Sequence, residues 1–285
     1  MALPTSATGS TRNHCDATMP GASHQQLFTA VILAGERGPG DPLVKASGAC
    51  CKAMIEIDGT PMILRVLQAL ETATRVDARL VSGPEKDQLA AVPVLDELVA
   101  SQAIGWRTPA PTPSTSAYEA MQSIPAEQPV LVTTADHPLL TAEIIDDFCT
   151  RSLDRDLDIT VGLAPYRLVR EAYPDMKKTV LHFSDGDYCG TNLFAFLTER
   201  GRRLADFWRR VESQRKNPLR IIRILGWGAV IRYLLGRLTL ENALELLSRR
   251  LDLRIGAVIL EQADAAVDVD SITDHEIVQN RLTGG

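Results

Sequence analysis

An apolar run that breaks into a glycine-rich stretch constrains this chain more than any other feature. Residues 30–34 (Ala-Val-Ile-Leu-Ala) have the composition of a buried strand, and Gly35, Gly38 and Gly40 follow directly. Glycine accepts a positive φ without steric cost and lets backbone N–H groups approach an anion closely. The stretch therefore predicts a strand that ends in a tight, anion-binding loop.

Two cationic side chains accompany this loop, Arg37 inside it and Lys52 just before the next apolar alternation. Backbone donors and two cations suit a triphosphate, although an ordinary turn with surface charges remains an alternative. A P-loop would carry Lys where Asp41 stands. A dinucleotide fingerprint would open a helix, which Pro39 and Pro42 interrupt. The loop therefore matches neither of these common phosphate motifs.

Strand-like and helix-like patterns alternate along most of the chain. Helical spacing follows Pro61 and Thr141, and it dominates residues 200–250. The predicted strands are residues 30–34, 53–57, 76–81, 92–94, 128–134, 159–165, 180–183, 193–196 and 255–260. Such alternation predicts an α/β fold with a mostly parallel central sheet. Residues 1–26 are polar and aperiodic, so we expect a disordered tail ahead of a single domain at 27–285.

Charge and composition exclude several classes of protein. The net charge of −6 argues against a nucleic-acid binder, which would be basic. No apolar run reaches the ~18 residues of a membrane span, and the N-terminus lacks a secretory pattern. The five cysteines are scattered, and Cys50-Cys51 has no histidine at zinc spacing. We expect a cytoplasmic protein with reduced thiols.

Two aspartate-containing stretches are candidate metal-binding sites. Asp136 follows the apolar strand 128–134, at the end where open α/β sheets bind ligands. Asp268 and Asp270 precede the final predicted helix. Carboxylate oxygens are the ligands that Mg²⁺ prefers, although all three residues could instead cap helices.

These stretches together resemble the MobA-like nucleotidyltransferases, which share a Leu-Ala-Gly-x-Arg turn, a later Lys, a Gly-x-Pro-Met turn, an Asp-x-Pro-Leu-Leu segment and an Asp-Val-Asp segment. The matching residues are Leu33, Ala34, Gly35, Arg37, Lys52, Gly59, Pro61, Met62, Asp136, Pro138, Leu139, Leu140, Asp268, Val269 and Asp270. The chain departs from the pattern at Glu36, where many members carry a second glycine, and its loop is longer. A carboxylate near phosphates is unfavourable unless it points outward or holds a cation.

The resemblance implies a three-layer, Rossmann-like nucleotidyltransferase (GT-A-type) fold with a helical insertion near residues 200–250. It implies transfer of a nucleoside monophosphate from an NTP to a small phosphorylated acceptor, with release of pyrophosphate. A catalytically idle nucleotide-binding protein on the same fold is the alternative, favoured by Glu36 and the longer loop. The acceptor, the base and the oligomeric state stay open at this point.

The resemblance also assigns site residues. Arg37 would contact the β- and γ-phosphates and Lys52 the α-phosphate, while Asp136 with Asp270 or Asp268 would hold Mg²⁺ or Mn²⁺. His137 is expected to be structural or to support the metal site. The nucleotide-binding set is Leu33, Ala34, Gly35, Glu36, Arg37, Gly38, Lys52 and, for the nucleobase, Ser114, Thr115 and Ser116.

Two further regions carry weaker expectations. Gly190, Thr191 and Asn192 resemble the loop over the acceptor pocket, although a plain turn fits equally well. The arginine-rich stretch 200–254, with Trp208, Trp227 and Tyr233, has three interpretations. It forms solvated helix faces, an anionic-acceptor pocket or a peripheral contact with an anionic membrane.

Overall fold

A computed structural model describes residues 26–35, 40–90, 92–212 and 227–284. The expected tail lies outside these residues except for Gln26, and its disorder stays a prediction. The strands in the described residues are β1 (Phe28–Leu33), β2 (Glu56–Ile57), β3 (Thr60–Pro61), β4 (Val76–Ser82), β5 (Gly105–Arg107), β6 (Val130–Thr134), β7 (Ile159–Pro165), β8 (Val180–Phe183), β9 (Gly186–Phe196) and β10 (Ile255–Ile259).

Helices connect most of these strands. They are α1 (Pro42–Ser47), α2 (Met62–Thr72), α3 (Lys86–Leu89), α4 (Pro93–Ala100), α5 (Pro113–Gln122), α6 (Ala142–Leu153), α7 (Tyr166–Ala172), α8 (Glu199–Glu212), α9 (Trp227–Leu234), α10 (Leu240–Leu251) and α11 (Ile272–Thr283). Short 3₁₀ helices span Lys52–Met54 and Ala263–Ala266.

The central sheet is mixed and mostly parallel, as predicted. Its strand order is β10-β7-β9-β6-β1-β4-β5, and β8 pairs with β9 at the side. β1 runs parallel to β4 and β6, whereas β9 runs antiparallel to β6 and β7. The carboxyl ends of the parallel strands therefore meet at one edge, where such sheets bind ligands.

The core lies on both faces of this sheet and produces three layers. On one face, Ile32 of β1 packs in a cluster with Leu67 of α2 and Phe148 of α6. On the other face, Val31 packs in a cluster with Met121 of α5 and Ala205 of α8. Successive β1 side chains point to opposite faces and are both buried, which explains the uninterrupted apolar run in the sequence.

Three local predictions were wrong. Val92–Val94 is not a strand, because α4 begins at Pro93, where the missing N–H of proline costs nothing in the first turn. Residues 53–57 contain a strand only at Glu56–Ile57, since the 3₁₀ helix precedes it. Residues 190–192 are neither a loop nor a turn but lie inside β9, which pairs with β7 and β8.

Candidate active site

A lysine between two carboxylates lies at the carboxyl edge of the sheet. Lys52 Nζ donates to Asp136 Oδ2 at 2.5 Å and also to Asp270 Oδ1. The side chains of Lys52 and Asp136 are largely buried, whereas that of Asp270 is 52% exposed. The structure thus brings together three predicted site residues that are far apart in the sequence.

Backbone hydrogen bonds fix the position of Asp136. Ala135 N donates to Leu33 O at 3.0 Å, which ties the end of β6 to the end of β1. Val269 N donates to Asp136 O at 3.0 Å, which brings the C-terminal segment to the same place. Asp136 therefore joins β1, β6 and the segment that carries Asp268 and Asp270.

Neither Asp268 nor Asp270 caps the last helix. Ser271 is the N-cap residue of α11, and its Oγ accepts a hydrogen bond from Asp274 N at 3.2 Å. The Asp274 carboxylate accepts in return from Ser271 Oγ at 2.7 Å and from Asp270 N at 3.2 Å. Both Asp268 and Asp270 therefore keep their carboxylates for other partners. Thr141, not Asp136, caps α6.

Lys52 and its carboxylate partners stabilise each other's charged forms. Burial works against the charged form of Asp136, but the Lys52 ammonium outweighs it and lowers the pKa of Asp136 to about 2. Burial likewise opposes the charged form of Lys52, yet Asp136 and Asp270 raise the pKa of its ammonium. Lys52 and Asp136 are thus both charged at neutral pH.

Asp136 and Asp270 fit a divalent cation. They already share one cationic partner, and the buried Oδ1 of Asp136 has no hydrogen-bond partner in the described residues. Mg²⁺ usually takes one or two carboxylates and completes its shell with phosphate oxygens and water. The described part of the chain holds no group of three or more His, Cys, Asp or Glu side chains suited to a metal. These residues would therefore supply two carboxylates to the metal ion, and the substrate would supply further oxygen ligands.

A second lysine–aspartate pair lies beside the first. Lys178 Nζ donates to Asp268 Oδ1, and the Lys178 side chain is only 8% exposed. The structure thus separates the two carboxylates that the sequence proposed as alternatives. Asp270 joins Asp136 at Lys52, and Asp268 pairs with Lys178. No pattern around Lys178 predicts this pair, because it follows an ordinary polar stretch and meets Asp268 only in the folded chain.

His137 is buried between the two pairs and the sheet. Burial lowers the pKa of its imidazole, so the ring is neutral. Its Nε2 lies 2.8 Å from Asn192 Nδ2, within hydrogen-bond distance. Asn192 has a φ of 51°, a left-handed conformation that is uncommon inside a strand. His137 therefore contacts Asn192 of β9, and its supporting role at the metal site stays a prediction.

The predicted phosphate loop is only partly described. Ala34 N donates to Ser82 O at 2.9 Å, and a Cβ added to Gly35 would lie 2.9 Å from Pro109 Cβ. A Cβ on Gly83, where φ is 87°, would lie 2.8 Å from Gly35 N. Glycine is thus required at both positions. The predicted residues Glu36, Arg37 and Gly38 lie outside the described residues, and their phosphate contacts stay predictions.

The predicted nucleobase residues lie at the start of α5. The helix is capped by Thr112, whose hydroxyl accepts from Thr115 N at 3.3 Å. Ser116 Oγ accepts from Ala110 N at 2.9 Å, which closes the preceding turn. Ser114 and Ser116 are buried. These hydroxyls therefore shape the loop, and their contact with a base stays a prediction.

Several arginines of the stretch 200–254 have partners inside the protein. Arg202 is buried and donates to four backbone carbonyls, those of Met121, Ile124, Pro125 and Gln128. Arg209 lies over the Tyr118 ring at 4.8 Å, and Arg254 pairs with Asp158. The sequence did not indicate these contacts, which fasten α8 to α5 and to the turn before β6, and join the starts of β10 and β7.

The membrane interpretation of the same stretch stays a prediction. Ile231, Leu234 and Leu235 at the end of α9 are exposed, and so is Trp208. Residues 213–226 and the Trp227 side chain lie outside the described residues. Among the helices of the described part, none combines the length and apolarity needed to cross a membrane.

The sheet order and the lysine–aspartate site at its carboxyl edge define a Rossmann-like nucleotidyltransferase fold. Residues 30–222 match the family model of the MobA-like NTP transferase domain. Because this match covers more than half of the chain, the protein belongs to the MobA-like NTP transferase family.

Solved structures agree on the fold. A hypothetical transferase from Thermus thermophilus is 25% identical with a TM-score of 0.72, over 88% of this chain and 100% of that one. CMP:2-keto-3-deoxy-manno-octonic acid synthetase complexed with CTP is 13% identical with a TM-score of 0.54, over 91% and 99%. The 4-diphosphocytidyl-2C-methyl-D-erythritol synthase from Anaerococcus prevotii is 12% identical with a TM-score of 0.52, over 91% and 99%. None of the curated proteins compared with the chain matches it.

Proposed function

We propose that the protein transfers a nucleoside monophosphate from an NTP to a small phosphorylated acceptor and releases pyrophosphate, in a reaction that depends on Mg²⁺. The observation that carries this proposal is the Lys52 ammonium held between Asp136 and Asp270 at the carboxyl edge of the sheet. Family membership and the fold of two cytidylyl-related neighbours support the same class of reaction.

The transfer is a substitution at the α-phosphorus. An acceptor phosphate oxygen forms a bond to the α-phosphorus while the bond between that atom and the bridging oxygen of the β-phosphate breaks. The electron pair of the broken bond leaves on pyrophosphate. A phosphate nucleophile is already ionised, so no side chain needs to remove a proton. This agrees with the neutral, buried state of His137.

Lys52 acts electrostatically in this proposal. Its ammonium would contact the α-phosphate and stabilise the negative charge that grows there during in-line attack. The two carboxylates hold Lys52 at the sheet edge before the substrate arrives.

Asp136 and Asp270 would hold the metal ion. When bound, Mg²⁺ supplies positive charge against the phosphate oxygens. The low pKa of Asp136 keeps that carboxylate ionised and ready to bind a cation at any physiological pH. Asp270, which is half exposed, lies on the solvent side of the pair.

The test is pyrophosphate release with Mg²⁺, each of CTP, GTP, ATP and UTP, and a panel of phosphorylated sugars, polyols and pterins. We expect release with one preferred base, and its loss in Asp136→Asn. Binding of labelled NTP, measured in parallel, covers the idle alternative. Tight NTP binding without release for any acceptor supports the idle protein, and absence of NTP binding contradicts the transferase proposal.

A further inference from the structure

Lys178 is a cation that the proposed NTP chemistry leaves without a task. Its side chain is more deeply buried than that of Lys52, and among the described residues its ionic partner is Asp268, whose side chain is 26% exposed. A buried ammonium is costly unless it is paired, so its place beside the site calls for an explanation.

The two lysine–aspartate pairs share one backbone segment. Val269 is fully buried and its N–H bonds to Asp136 O, while the residues on either side bind the two lysines. Side chains two residues apart in an extended segment project to the same side. Lys178 therefore approaches the same face of the segment as Lys52, but through Asp268 instead of Asp270.

Lys178 also lies beside the strand predicted to contact the acceptor. It precedes β8 by two residues, and Val180 of β8 pairs with Cys189 of β9. Gly190, the first of the predicted acceptor residues, follows Cys189 and is exposed. Lys178 therefore lies within a few residues of the predicted acceptor residues 190–192, across the pairing of β8 with β9.

A phosphorylated acceptor needs a cation of its own. The triphosphate and the acceptor phosphate are both strongly anionic, and their repulsion opposes the close approach that in-line attack requires. Lys52 is already matched by two carboxylates and is assigned to the α-phosphate. Lys178 has one carboxylate partner, which a phosphate dianion with more charge can replace or share.

We propose that Lys178 binds the phosphate of the acceptor and that Asp268 holds Lys178 in position when the acceptor is absent. The ligand class is a phosphate monoester dianion. This inference rests on the proposed transfer reaction and adds the acceptor's anchoring residue to it. It also gives Asp268 a task different from metal binding.

The test uses inorganic phosphate as the probe, titrated by ³¹P NMR into the protein loaded with Mg²⁺ and an α,β-methylene NTP. The analogue occupies the NTP site, so phosphate reports the acceptor side alone. We expect Lys178→Met to weaken phosphate binding by about tenfold, the loss expected for one charge-assisted contact. Lys178→Arg should retain part of the affinity. The neighbouring exposed residue supplies the matched control, Lys177→Met, which should bind phosphate like the unaltered protein.

Asp268→Asn gives a result of the opposite sign and keeps the proposal testable if Lys178→Met does not fold. Removing the competing carboxylate should tighten phosphate binding severalfold, whereas a purely structural ion pair would give no gain. Unchanged phosphate affinity in Lys178→Met overturns the inference, and so does the absence of a gain in Asp268→Asn. An equal loss of affinity in Lys177→Met would show that phosphate binds as an adventitious ion only, which also overturns the inference. Binding of the NTP analogue is measured in every variant. If the unaltered protein does not bind the NTP analogue, the proposed function is contradicted. Titration with phosphate alone then still tests the role of Lys178.

Discussion

The two lysines at the sheet edge differ in how many carboxylates surround them. Lys52 has two carboxylate partners, Asp136 and Asp270, and the group carries one net negative charge. Among the described residues Lys178 pairs with Asp268, and these two opposite charges sum to zero. A group with surplus negative charge attracts a metal cation, whereas a neutral pair can exchange its carboxylate for an incoming phosphate. The comparison therefore places the metal ion and the NTP at the group formed by Lys52, Asp136 and Asp270, and the acceptor phosphate at Lys178.

The largest expected effect is on turnover, in variants of Lys52 and Asp136. Lys52→Met or Asp136→Asn should lower turnover by roughly 100-fold or more, because each removes charge stabilisation that acts at the α-phosphate or its metal. Steady-state pyrophosphate release measures this loss. Asp154→Asn, an exposed carboxylate at the end of α6, is the control and should leave turnover unchanged. Full turnover in Lys52→Met would remove that residue from the mechanism.

Substitution of Lys178 should weaken binding of the acceptor and not of the NTP. Lys178→Met should raise the KM for the phosphorylated acceptor by about tenfold while the KM for the NTP stays within about twofold. Kinetics with each substrate varied in turn separate the two constants. Equal rises in both constants would show that the two lysines are not divided between donor and acceptor.

Substitutions of Asp270 and Asp268 should differ in their effect on the Mg²⁺ concentration that turnover requires. Asp270→Asn should raise the Mg²⁺ concentration for half-maximal turnover by about fivefold, a modest effect because solvent screens this half-exposed carboxylate. Asp268→Asn should leave that concentration unchanged. A Mg²⁺ titration of both variants checks this, and a shift in Asp268→Asn would return that residue to the metal site.

The smallest expected effect concerns stability in acid. Asp136 has a folded pKa of about 2 against an ordinary value of 3.8, so its contribution is present above pH 3.8 and is lost as the pH falls towards 2. Between pH 5 and pH 3, in metal-free buffer, the free energy of unfolding should fall by about 1 kcal/mol less in Asp136→Asn than in the unaltered protein. Urea unfolding at the two pH values measures the difference. Identical falls would show that Lys52 does not hold Asp136 ionised.

Local patterns were sufficient for the centre of the fold. β1 and β6 are continuous apolar runs because both faces of a parallel sheet are covered, and Asp136 follows one of them directly. The resemblance to a family supplied Lys52 and Asp270, and the structure brings both to Asp136. These parts could be predicted because their signals are local in the sequence or shared by relatives.

Predictions failed where pairing between distant residues decides the structure. Gly190 and Asn192 have low strand propensity, yet β9 continues through them because it pairs with β7 on both sides of this stretch, at Gly190 and at Phe194. Lys178 meets Asp268 across 90 residues of sequence, and the residues around Lys178 do not mark it as part of the site. Such contacts come from the arrangement of the sheet, which no single stretch of the chain specifies.

The buried guanidinium of Arg202 has a consequence for how this protein can vary. Its donors join the start of α8 to the four carbonyls that connect α5 with β6. The direction in which the chain leaves the sheet domain is therefore set before α8 has completed its second turn. A residue at position 202 that cannot donate to these carbonyls would leave buried acceptors unpaired, so this position tolerates little variation.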